Sequence, residues 1–460
     1  MAEALKPSPL EQNVRQLTEE IGGRVPDTPA MKKAIAWAEK AMREAGSESV
    51  QSEEFTMPVS WQEGATRVEV TAPEKFQVRA VSIAWAPATK GVLRARVIDV
   101  GDGDQAGFTK AGDVTGSVVL VHSKVLESWD DLFAEYLRAP AIIDAAVKGR
   151  AAAIAFISTR EGSLLYRHIN NFKGEVDRLP MILVARDDGE RIGKMLAAGK
   201  KLQMAVSAPN KIGGPFRTSN VVAEIRGSDK PDEFVVLGAH LDSWELGKGA
   251  LDDGCNAALV IDALRAIRAS GLRPRRSIRF VLFSGEEQGM HGSLAYVRKH
   301  RDELDRASAV LIFDEGSGRV TGFSLGGRKD MVSQVGRLVE PFKQWNATTL
   351  TTDAFIGTDN FDFLLEGVPT LVANQEAANY LVNYHATSDT YDKVDFSNLK
   401  KHVAMAAALA FEIADAPQPL GPRQTRAQIQ QLLEETGVRK QMETFDLWQQ
   451  WESQARGRSR

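Results

Sequence analysis

Imidazole and carboxylate side chains recur in five short segments of the second half of the chain. These segments are residues 238–242, 249–254, 284–287, 314–315 and 384–390. Three of them directly follow apolar runs typical of buried strands, where an uncompensated charge is costly. Histidine and carboxylate are the ligands that zinc takes when thiolates are absent. The five segments therefore predict a site for divalent metal ions.

A pair of metal ions needs one bridging carboxylate and further ligands for each ion. The segments supply the following set: His240, Asp252, Glu287, Asp314 and His385. Three carboxylates and a hydroxide would neutralise two divalent cations, and two imidazoles complete the set without adding charge. A single histidine or acid at a strand end is more often structural, and paired acids are usually solvated. The repetition of such groups at several strand ends favours metal binding.

The other histidines have no acidic motif beside them or stand in a glycine-flanked turn. They are His122, His168, His291, His300 and His402. We do not expect them to be metal ligands.

The elements that must position these groups are short continuous apolar runs. Residues 234–237, 278–283 and 310–313 have the composition of strands buried on both faces, as in a largely parallel sheet covered by helices. The residues after Asn256 carry an apolar stripe at helical spacing. Ligands in open α/β sheets gather at the carboxyl ends of the strands. The sequence therefore predicts an α/β fold with a mixed, mostly parallel sheet flanked by helices.

Changes in pattern along the chain divide it into four predicted parts. Residues 1–90 form the N-terminal part of the main domain and include a helix that starts near Thr28 and Pro29. The pattern of residues 91–210 predicts a smaller mixed α/β insertion, with strands at 118–121, 152–157 and 181–184 and a helix at 141–148. Residues 211–417 form the main domain. Residues 418–460 form a helical tail that packs on its own domain or makes a dimer contact, with 456–460 predicted to be disordered.

Composition excludes several classes of function. The chain of 460 residues has 57 basic and 61 acidic side chains, so no net basic charge is available to hold nucleic acid or an anionic membrane. The single cysteine, Cys255, allows neither an intrachain disulfide nor a thiolate zinc site. No apolar run is long enough for a membrane span, and the first residues lack a signal-peptide core. We expect a cytoplasmic protein, or a secreted or periplasmic one if a leader has been removed.

These segments, in this order, resemble the M28 family of metallopeptidases, and within it the plasma glutamate carboxypeptidase (carboxypeptidase Q-like) branch. The stretch 21–29 is similar to the N-terminal region of that branch, and 91–210 is similar to its protease-associated insertion. Two segments depart from the family pattern. Cys255 and Asn256 stand where small residues are common, and Asn360 and Asp362 interrupt a Ser-Asp-His-x-Pro-Phe pattern. The resemblance implies a zinc-exopeptidase fold.

The resemblance also implies roles for individual residues. His240 and Asp314 would hold one zinc ion, Glu287 and His385 would hold the other, and Asp252 would bridge both. Asp242 would orient the His240 ring, as is common for metal-bound imidazole. Glu286 would be the general base for a metal-bridged water. The peptide bond after Asp252 would be cis.

The implied activity is hydrolysis of small peptides by an aminopeptidase or dipeptidase with two zinc ions per chain. Asp359 is a candidate partner for a free α-amine, and Tyr384 is a candidate for stabilising the oxyanion. The insertion and the segment 129–136 would narrow the entrance. Two other functions stay open: a single-zinc acyltransferase similar to glutaminyl cyclases, and a binding protein on an inactive peptidase scaffold. The presence of all five predicted ligands disfavours the inactive binding protein. A related di-zinc family with a separate lid domain fits the position of the insertion and the ligand spacing less well.

Overall fold

The structure is a computed structural model that describes residues 1–459. The chain forms two compact units. The first comprises Met1–Thr56, Arg217–Tyr380 and the residues from Asp389 onward. The second comprises Met57–Phe216 and the short segment Leu381–Ser388.

The strands are β1 (Ser49–Met57), β2 (Trp61–Gln62), β3 (Arg67–Ala72), β4 (Phe76–Val78), β5 (Ala80–Ser82), β6 (Leu93–Asp99), β7 (Val118–Val121), β8 (Ala153–Ile157), β9 (Met181–Val184), β10 (Gln203–Ser207), β11 (Lys211–Ile212), β12 (Phe216–Ile225), β13 (Lys230–His240), β14 (Arg276–Phe283), β15 (Ala307–Ile312), β16 (Val320–Ser324), β17 (Thr349–Thr351) and β18 (Thr370–Gln375). Strands and helices alternate from β13 to β15, whereas β1 to β6 and β10 to β13 follow one another without a helix between them.

The helices are α1 (Ala2–Leu5), α2 (Leu10–Arg15), α3 (Pro29–Glu44), α4 (Gln105–Ala111), α5 (Trp129–Lys148), α6 (Arg186–Ala197), α7 (Cys255–Ala269), α8 (His291–Lys299), α9 (Val332–Val339), α10 (Asn360–Leu365), α11 (Tyr380–Asn383), α12 (Phe396–Asp415), α13 (Arg426–Glu435), α14 (Val438–Thr444) and α15 (Trp448–Glu452). Short 3-10 or π turns span Gln16–Ile21, Ala250–Gly254, Arg301–Arg306, Lys329–Met331, Glu340–Trp345 and Tyr391–Lys393. The Thr28 hydroxyl accepts a hydrogen bond from the Met31 N–H at 3.2 Å, so Thr28, rather than Asp27, caps α3 at the predicted start of this helix.

The first unit is built on an eight-stranded mixed sheet in the order β1-β12-β14-β13-β15-β18-β16-β17. Its central strands β14, β13, β15 and β18 run parallel, as the apolar runs predict. Residues of β13 from Phe234 to His240 and all of β15 are buried, because helices cover both faces. Helices α8 and α10 pack on the face that presents Phe234 and Val236, and α7 and α12 also pack against β13 and β14. The carboxyl ends of β13, β14 and β15 therefore meet at one edge.

The C-terminal tail belongs to this unit, and its end is ordered as far as the structure describes it. Arg456, predicted to be disordered, is 1% exposed and forms a two-pronged ion pair with Asp362 of α10 at 2.7 and 2.8 Å. The Trp451 side chain is also buried. The prediction of disorder was wrong because Asp362, the residue that pairs with Arg456, lies 94 residues away along the chain. The last residue, 460, lies outside the described residues.

The second unit has its own eight-stranded sheet, in the order β4-β3-β10-β6-β7-β8-β9-β5. Strands β6 to β9 are parallel, and their inward side chains form one apolar core. The unit begins at Met57 rather than at the predicted residue 91, because β3, β4 and β5 pair into this sheet. Helix α5 starts at Trp129, well before the predicted residue 141, and contains Pro140. A proline usually ends or kinks a helix, so the sequence predicts a helix only after Pro140. The first half of α5 was therefore missed.

No helix among residues 1–459 has the length and apolar character needed to cross a membrane.

Candidate metal centre

Three of the predicted ligand segments meet at the carboxyl edge of the first sheet. His240 is the last residue of β13, Glu286 and Glu287 follow the end of β14, and Asp314 follows β15 by two residues. Because these strands are parallel neighbours, their ends lie side by side. The topology thus explains why residues far apart in sequence can share one site.

The His240 imidazole lies at the centre of this group. Its Nε2 atom is 3.1 Å from Asp252 Oδ1 and 3.2 Å from Asp314 Oδ1. Possible ligand atoms of His240, Asp252 and Glu287 all lie within 4.8 Å of one another, and so do those of His240, Asp253 and Asp314. The structure therefore brings four of the five predicted ligands together in the first unit.

The buried carboxylates around His240 carry a negative charge that a bound cation would compensate. Burial, followed by the charge of Asp314, raises the pKa of Glu286 well above its usual value. Burial also raises the pKa of Asp314. Although burial lowers the pKa of His240, the carboxylates of Asp314 and Asp253 outweigh it and raise that pKa well above normal. Clustered buried carboxylates beside an imidazole, without a thiolate, fit a divalent ion such as zinc.

The loop that carries Asp252 is held by a residue that the sequence analysis did not assign. Asp389 is buried, and its carboxylate accepts hydrogen bonds from the backbone N–H groups of Ala250, Leu251 and Asp252 at 3.1, 2.7 and 3.2 Å. Burial raises its pKa to about 7 even though these hydrogen bonds lower it. Asp389 stands four residues after His385, inside a segment already singled out, but nothing in its spacing indicated backbone acceptors.

Arg24 is the second residue that the sequence analysis missed. Its guanidinium is fully buried and donates hydrogen bonds to four carbonyl oxygens: Leu241 at 2.7 Å, Gly22 at 3.0 Å, Lys248 at 3.0 Å and Gly249 at 2.9 Å. Three of these carbonyls belong to the loop between His240 and Asp252. Gly249 has φ +56°, and a Cβ atom there would lie 2.3 Å from the Ser243 side chain. Arg24 therefore fixes the path of this loop.

Asp242 lies where the sequence predicts, but its carboxylate is not the partner of the His240 ring. His240 Nδ1 is 3.0 Å from the backbone carbonyl oxygen of Asp242 and 3.7 Å from its Oδ1 atom, which is too long for a hydrogen bond. Asp242 Oδ1 instead accepts a hydrogen bond from the Glu286 N–H at 3.3 Å. The carbonyl fixes the ring, and the carboxylate fixes the loop of the predicted base.

Asp253 also belongs to this site, although it was not among the predicted site residues. Its carboxylate accepts hydrogen bonds from the His240 N–H at 3.1 Å and from the Asn256 amide at 2.6 Å. The peptide bond between Asp252 and Asp253 is cis, which confirms the expectation. Because Asp253 is already engaged by these donors, it supports the site, and Asp252 stays the predicted ligand.

The predicted substrate residue Asp359 lies in the same unit, at the start of α10. It is 1% exposed, and both carboxylate oxygens are enclosed by protein. Burial raises its pKa to about 8. A substrate amine could reach these oxygens only if neighbouring side chains moved, so its role stays a prediction. The substituted Asp362 of the same motif faces Arg456 of the tail, which accounts for that departure from the family pattern.

His385 and Tyr384 lie in the second unit, on the segment Leu381–Ser388. His385 is buried, and its Nδ1 atom is 3.0 Å from the carbonyl oxygen of Arg167. The Tyr384 ring stacks on the His385 ring with centroids 3.6 Å apart, and its hydroxyl is 3.0 Å from that of Tyr136. A carbonyl partner at one ring nitrogen is typical of metal-bound histidine. The roles of both residues stay predictions.

Comparison with known proteins shows which family this chain resembles. Residues 220–410 match the model of Peptidase family M28. The chain is 27% identical to carboxypeptidase Q of Mus musculus over 88% of this chain and 85% of the relative. A peptidase M28 precursor from Shewanella amazonensis superposes with a TM-score of 0.82 at 26% identity, covering 92% of this chain and 97% of that one.

Residues 220–410 thus resemble the Peptidase family M28 domain, and the similarity to a peptidase M28 precursor extends over most of the chain. The chain has the zinc-exopeptidase fold, which it shares with a zinc aminopeptidase from Bacillus subtilis at a TM-score of 0.70 and 19% identity, over 88% of this chain and 94% of that one. The M28 domain spans all of β13 to β18 and four of the predicted ligands, together with His385. The chain is a metallopeptidase, as the family resemblance implies.

Proposed function

We propose that this metallopeptidase is an exopeptidase that uses two zinc ions to hydrolyse small peptides. The observation that carries the proposal is the His240 imidazole within 3.2 Å of two carboxylates, those of Asp252 and Asp314. Glu287 is close enough to share an ion with His240 and Asp252. One ligand set would be His240 with Asp314, the other Glu287 with His385, and Asp252 would be shared. Zinc held there would lower the pKa of a water molecule and polarise a peptide carbonyl.

Glu286 is the proposed general base. It is the neighbour of the ligand Glu287, and it keeps some exposed surface, whereas Glu287 is 5% exposed. A base must be reachable by the water from which it takes a proton. The Glu286 carboxylate would accept that proton and deliver it to the leaving amine. Its backbone N–H is held by Asp242, so the side chain starts from a fixed point.

Asp389 and Arg24 would preserve the geometry of the site. Asp389 binds the backbone of the segment that carries Asp252, and Arg24 binds the loop that precedes it. Neither side chain needs to touch substrate. Both act by limiting the positions that the Asp252 carboxylate can take.

A dipeptide library tests the proposal. Zinc-loaded protein incubated with the library should release free amino acids, a chelator should stop the release, and added zinc should restore it. Glu286→Gln should lower kcat by roughly 10²- to 10⁴-fold while the zinc content stays unchanged. Glu287→Gln is the matched variant and should lose zinc as well as activity.

Two results would contradict the proposal. The first is loss of zinc from Glu286→Gln, which would make Glu286 a ligand. The second is a protein that binds one zinc ion and cyclises N-terminal glutamine but cleaves no dipeptide. That result would assign the chain to acyl transfer.

A further inference from the structure

The second unit contains a cavity of about 250 Å³ between helix α5 and the parallel strands β7, β8 and β9. Val121, Phe156 and Leu183 line it from the sheet, and Ala139 and Ile142 line it from the helix. Most of its wall is therefore apolar. An apolar cavity of roughly 150 Å³ is large enough to hold benzene, so this one has room for a ring and further atoms.

One end of the cavity is polar but has no net charge. Glu135 of α5 accepts hydrogen bonds from the hydroxyl groups of Tyr166 and Thr159, and it lies 3.9 Å from the guanidinium of Arg160. These partners neutralise the carboxylate and use its acceptors. Lys124, Asp131 and Arg138 also line the cavity, but at the end formed by Glu135 an ion would lose its hydration without gaining an unpaired counter-charge.

His168 and Asn170 provide free polar atoms at this end. His168 is 5% exposed, and its ring nitrogens make no hydrogen bond within the described part of the chain, residues 1–459. Burial lowers its pKa to about 4, so at neutral pH the ring offers one donor and one acceptor. The Asn170 amide nitrogen has only the Met181 sulfur as partner, at 3.6 Å. A hydroxyl group, which both donates and accepts, matches these atoms.

We propose that this cavity binds a phenolic ring, with the ring between α5 and the sheet and its hydroxyl group on His168. The ring of Tyr136 already lies beside the His168 ring, with centroids 4.4 Å apart and the ring planes tilted by 38°, which shows that His168 accepts an aromatic neighbour. The ligand class is tyrosine, either as a side chain of a peptide or as the free amino acid.

The surroundings make a peptide side chain one natural source. Tyr136, whose ring lies beside that of His168, has its hydroxyl 3.0 Å from that of Tyr384, and the Tyr384 ring stacks on that of the predicted ligand His385. All of these residues belong to the second unit. For a peptide side chain, the inference rests on the proposed peptidase function. For free tyrosine it does not.

The test uses full-length protein and a variant that fills the cavity. Ala139 lines the cavity from α5, so Ala139→Leu should occupy it. Ala141→Leu is the matched control, because Ala141 is exposed on the same helix. Dipeptides that pair alanine with tyrosine, phenylalanine or alanine at either position are the substrates. Calorimetry with L-tyrosine and L-phenylalanine, and with L-alanine as control, measures binding to the metal-free protein.

The two sources give different results. If the ring belongs to a substrate, kcat/KM for tyrosine peptides should exceed that for Ala-Ala by roughly 10- to 100-fold, and Ala139→Leu should abolish this preference without changing Ala-Ala hydrolysis. If free tyrosine is the ligand, Ala139→Leu should abolish calorimetric binding and leave the substrate preference unchanged. His168→Leu should reduce the preference for tyrosine over phenylalanine, in substrate or ligand, by roughly 3- to 10-fold.

The inference is overturned if Ala139→Leu behaves as Ala141→Leu in both assays. An unchanged preference for tyrosine over phenylalanine in His168→Leu would contradict the assignment of the hydroxyl. If Ala139→Leu fails to fold, Ala134→Leu replaces it, because Ala134 is exposed and also lines the cavity. Calorimetric binding of tyrosine by a protein that cleaves no peptide would refute the proposed function and leave the cavity assignment intact.

Discussion

Replacement of Arg24 should weaken zinc binding although the residue is not a predicted ligand. Its guanidinium donates four hydrogen bonds, three of them to the loop that joins His240 to the segment of Asp252. In Arg24→Met, all four carbonyl oxygens lose a charged donor. Each remains largely inside the protein, where an unsatisfied acceptor is unfavourable.

The magnitude follows from these contacts. A buried polar group left without a partner costs about 1–3 kcal/mol. The four losses do not add fully, because the loop relaxes and the cost of burying the guanidinium disappears; burial lowers the pKa of Arg24 to about 10. We expect Arg24→Met to lower the free energy of unfolding by about 3–5 kcal/mol. Loss of a residue that supports a ligand typically weakens metal binding by roughly 10- to 100-fold.

A competitive zinc titration against a chromophoric chelator, with urea unfolding of the same samples, measures both effects. Arg276→Met is the matched control. Arg276 is also fully buried and pairs with Glu233 and the Ala416 carbonyl, at the opposite end of β14 from the site. It should lose stability but keep its zinc affinity. The positioning role of Arg24 would be refuted if Arg24→Met bound zinc as tightly as wild type. It would also be refuted if both variants lost the same zinc affinity.

Three further predictions concern stability. Asp389→Ala should lower the free energy of unfolding by about 3 kcal/mol and weaken zinc binding, because three backbone donors lose their acceptor. Asp389→Asn should lower both the free energy of unfolding and the zinc affinity by less. Equal zinc affinity in wild type and both variants would contradict this. Arg456→Met should destabilise the first unit by about 3–5 kcal/mol in urea, and adding Asp362→Leu should restore part of the loss; no recovery would contradict a buried pair. The pKa of His402 is lowered by burial from 6.5 to about 4, so the unfolded chain binds a proton that the folded one does not as the pH falls from 6.5 towards 4. Stability should therefore fall between pH 7 and pH 5, and His402→Leu should remove about 2 kcal/mol of that decrease in urea unfolding at the two pH values; an unchanged decrease would refute a neutral His402.

The sheet and the proximity of the four predicted ligands in the first unit could be predicted, because both depend on local sequence pattern and a general rule of topology. Apolar runs identify β13, β14 and β15, and parallel order brings the polar residues after each strand to one edge. His240, Glu287 and Asp314 needed no knowledge of side-chain contacts. Family resemblance then supplied roles that spacing alone leaves open.

The supports of the site could not be predicted, because their partners are backbone groups. Three of the four carbonyl oxygens that Arg24 binds lie more than 200 residues further along the chain, and Asp389 binds N–H groups 137 to 139 residues before it. Every residue presents such groups, so sequence carries no signal for the pairing. The same reason explains why the carbonyl, rather than the carboxylate, of Asp242 holds the His240 ring.

The remaining differences come from contacts that are distant in sequence. Strands β3 to β5 look like part of the N-terminal region until their pairing with β10 and β9 is known. The ordered end of the tail depends on Arg456 meeting Asp362. The cavity beside α5 arises from the way a helix and a sheet pack, and its His168 has no acidic motif beside it in the sequence.

The number of zinc ions per chain at full activity tests the central claim most directly. Metal-free protein would be titrated with zinc while peptide hydrolysis and bound metal, measured by plasma mass spectrometry, are followed on the same samples. We expect activity to reach its maximum at two bound zinc ions per chain, and Glu286→Gln to bind the same two ions without hydrolysis. Full activity in protein that holds no transition metal would contradict the account.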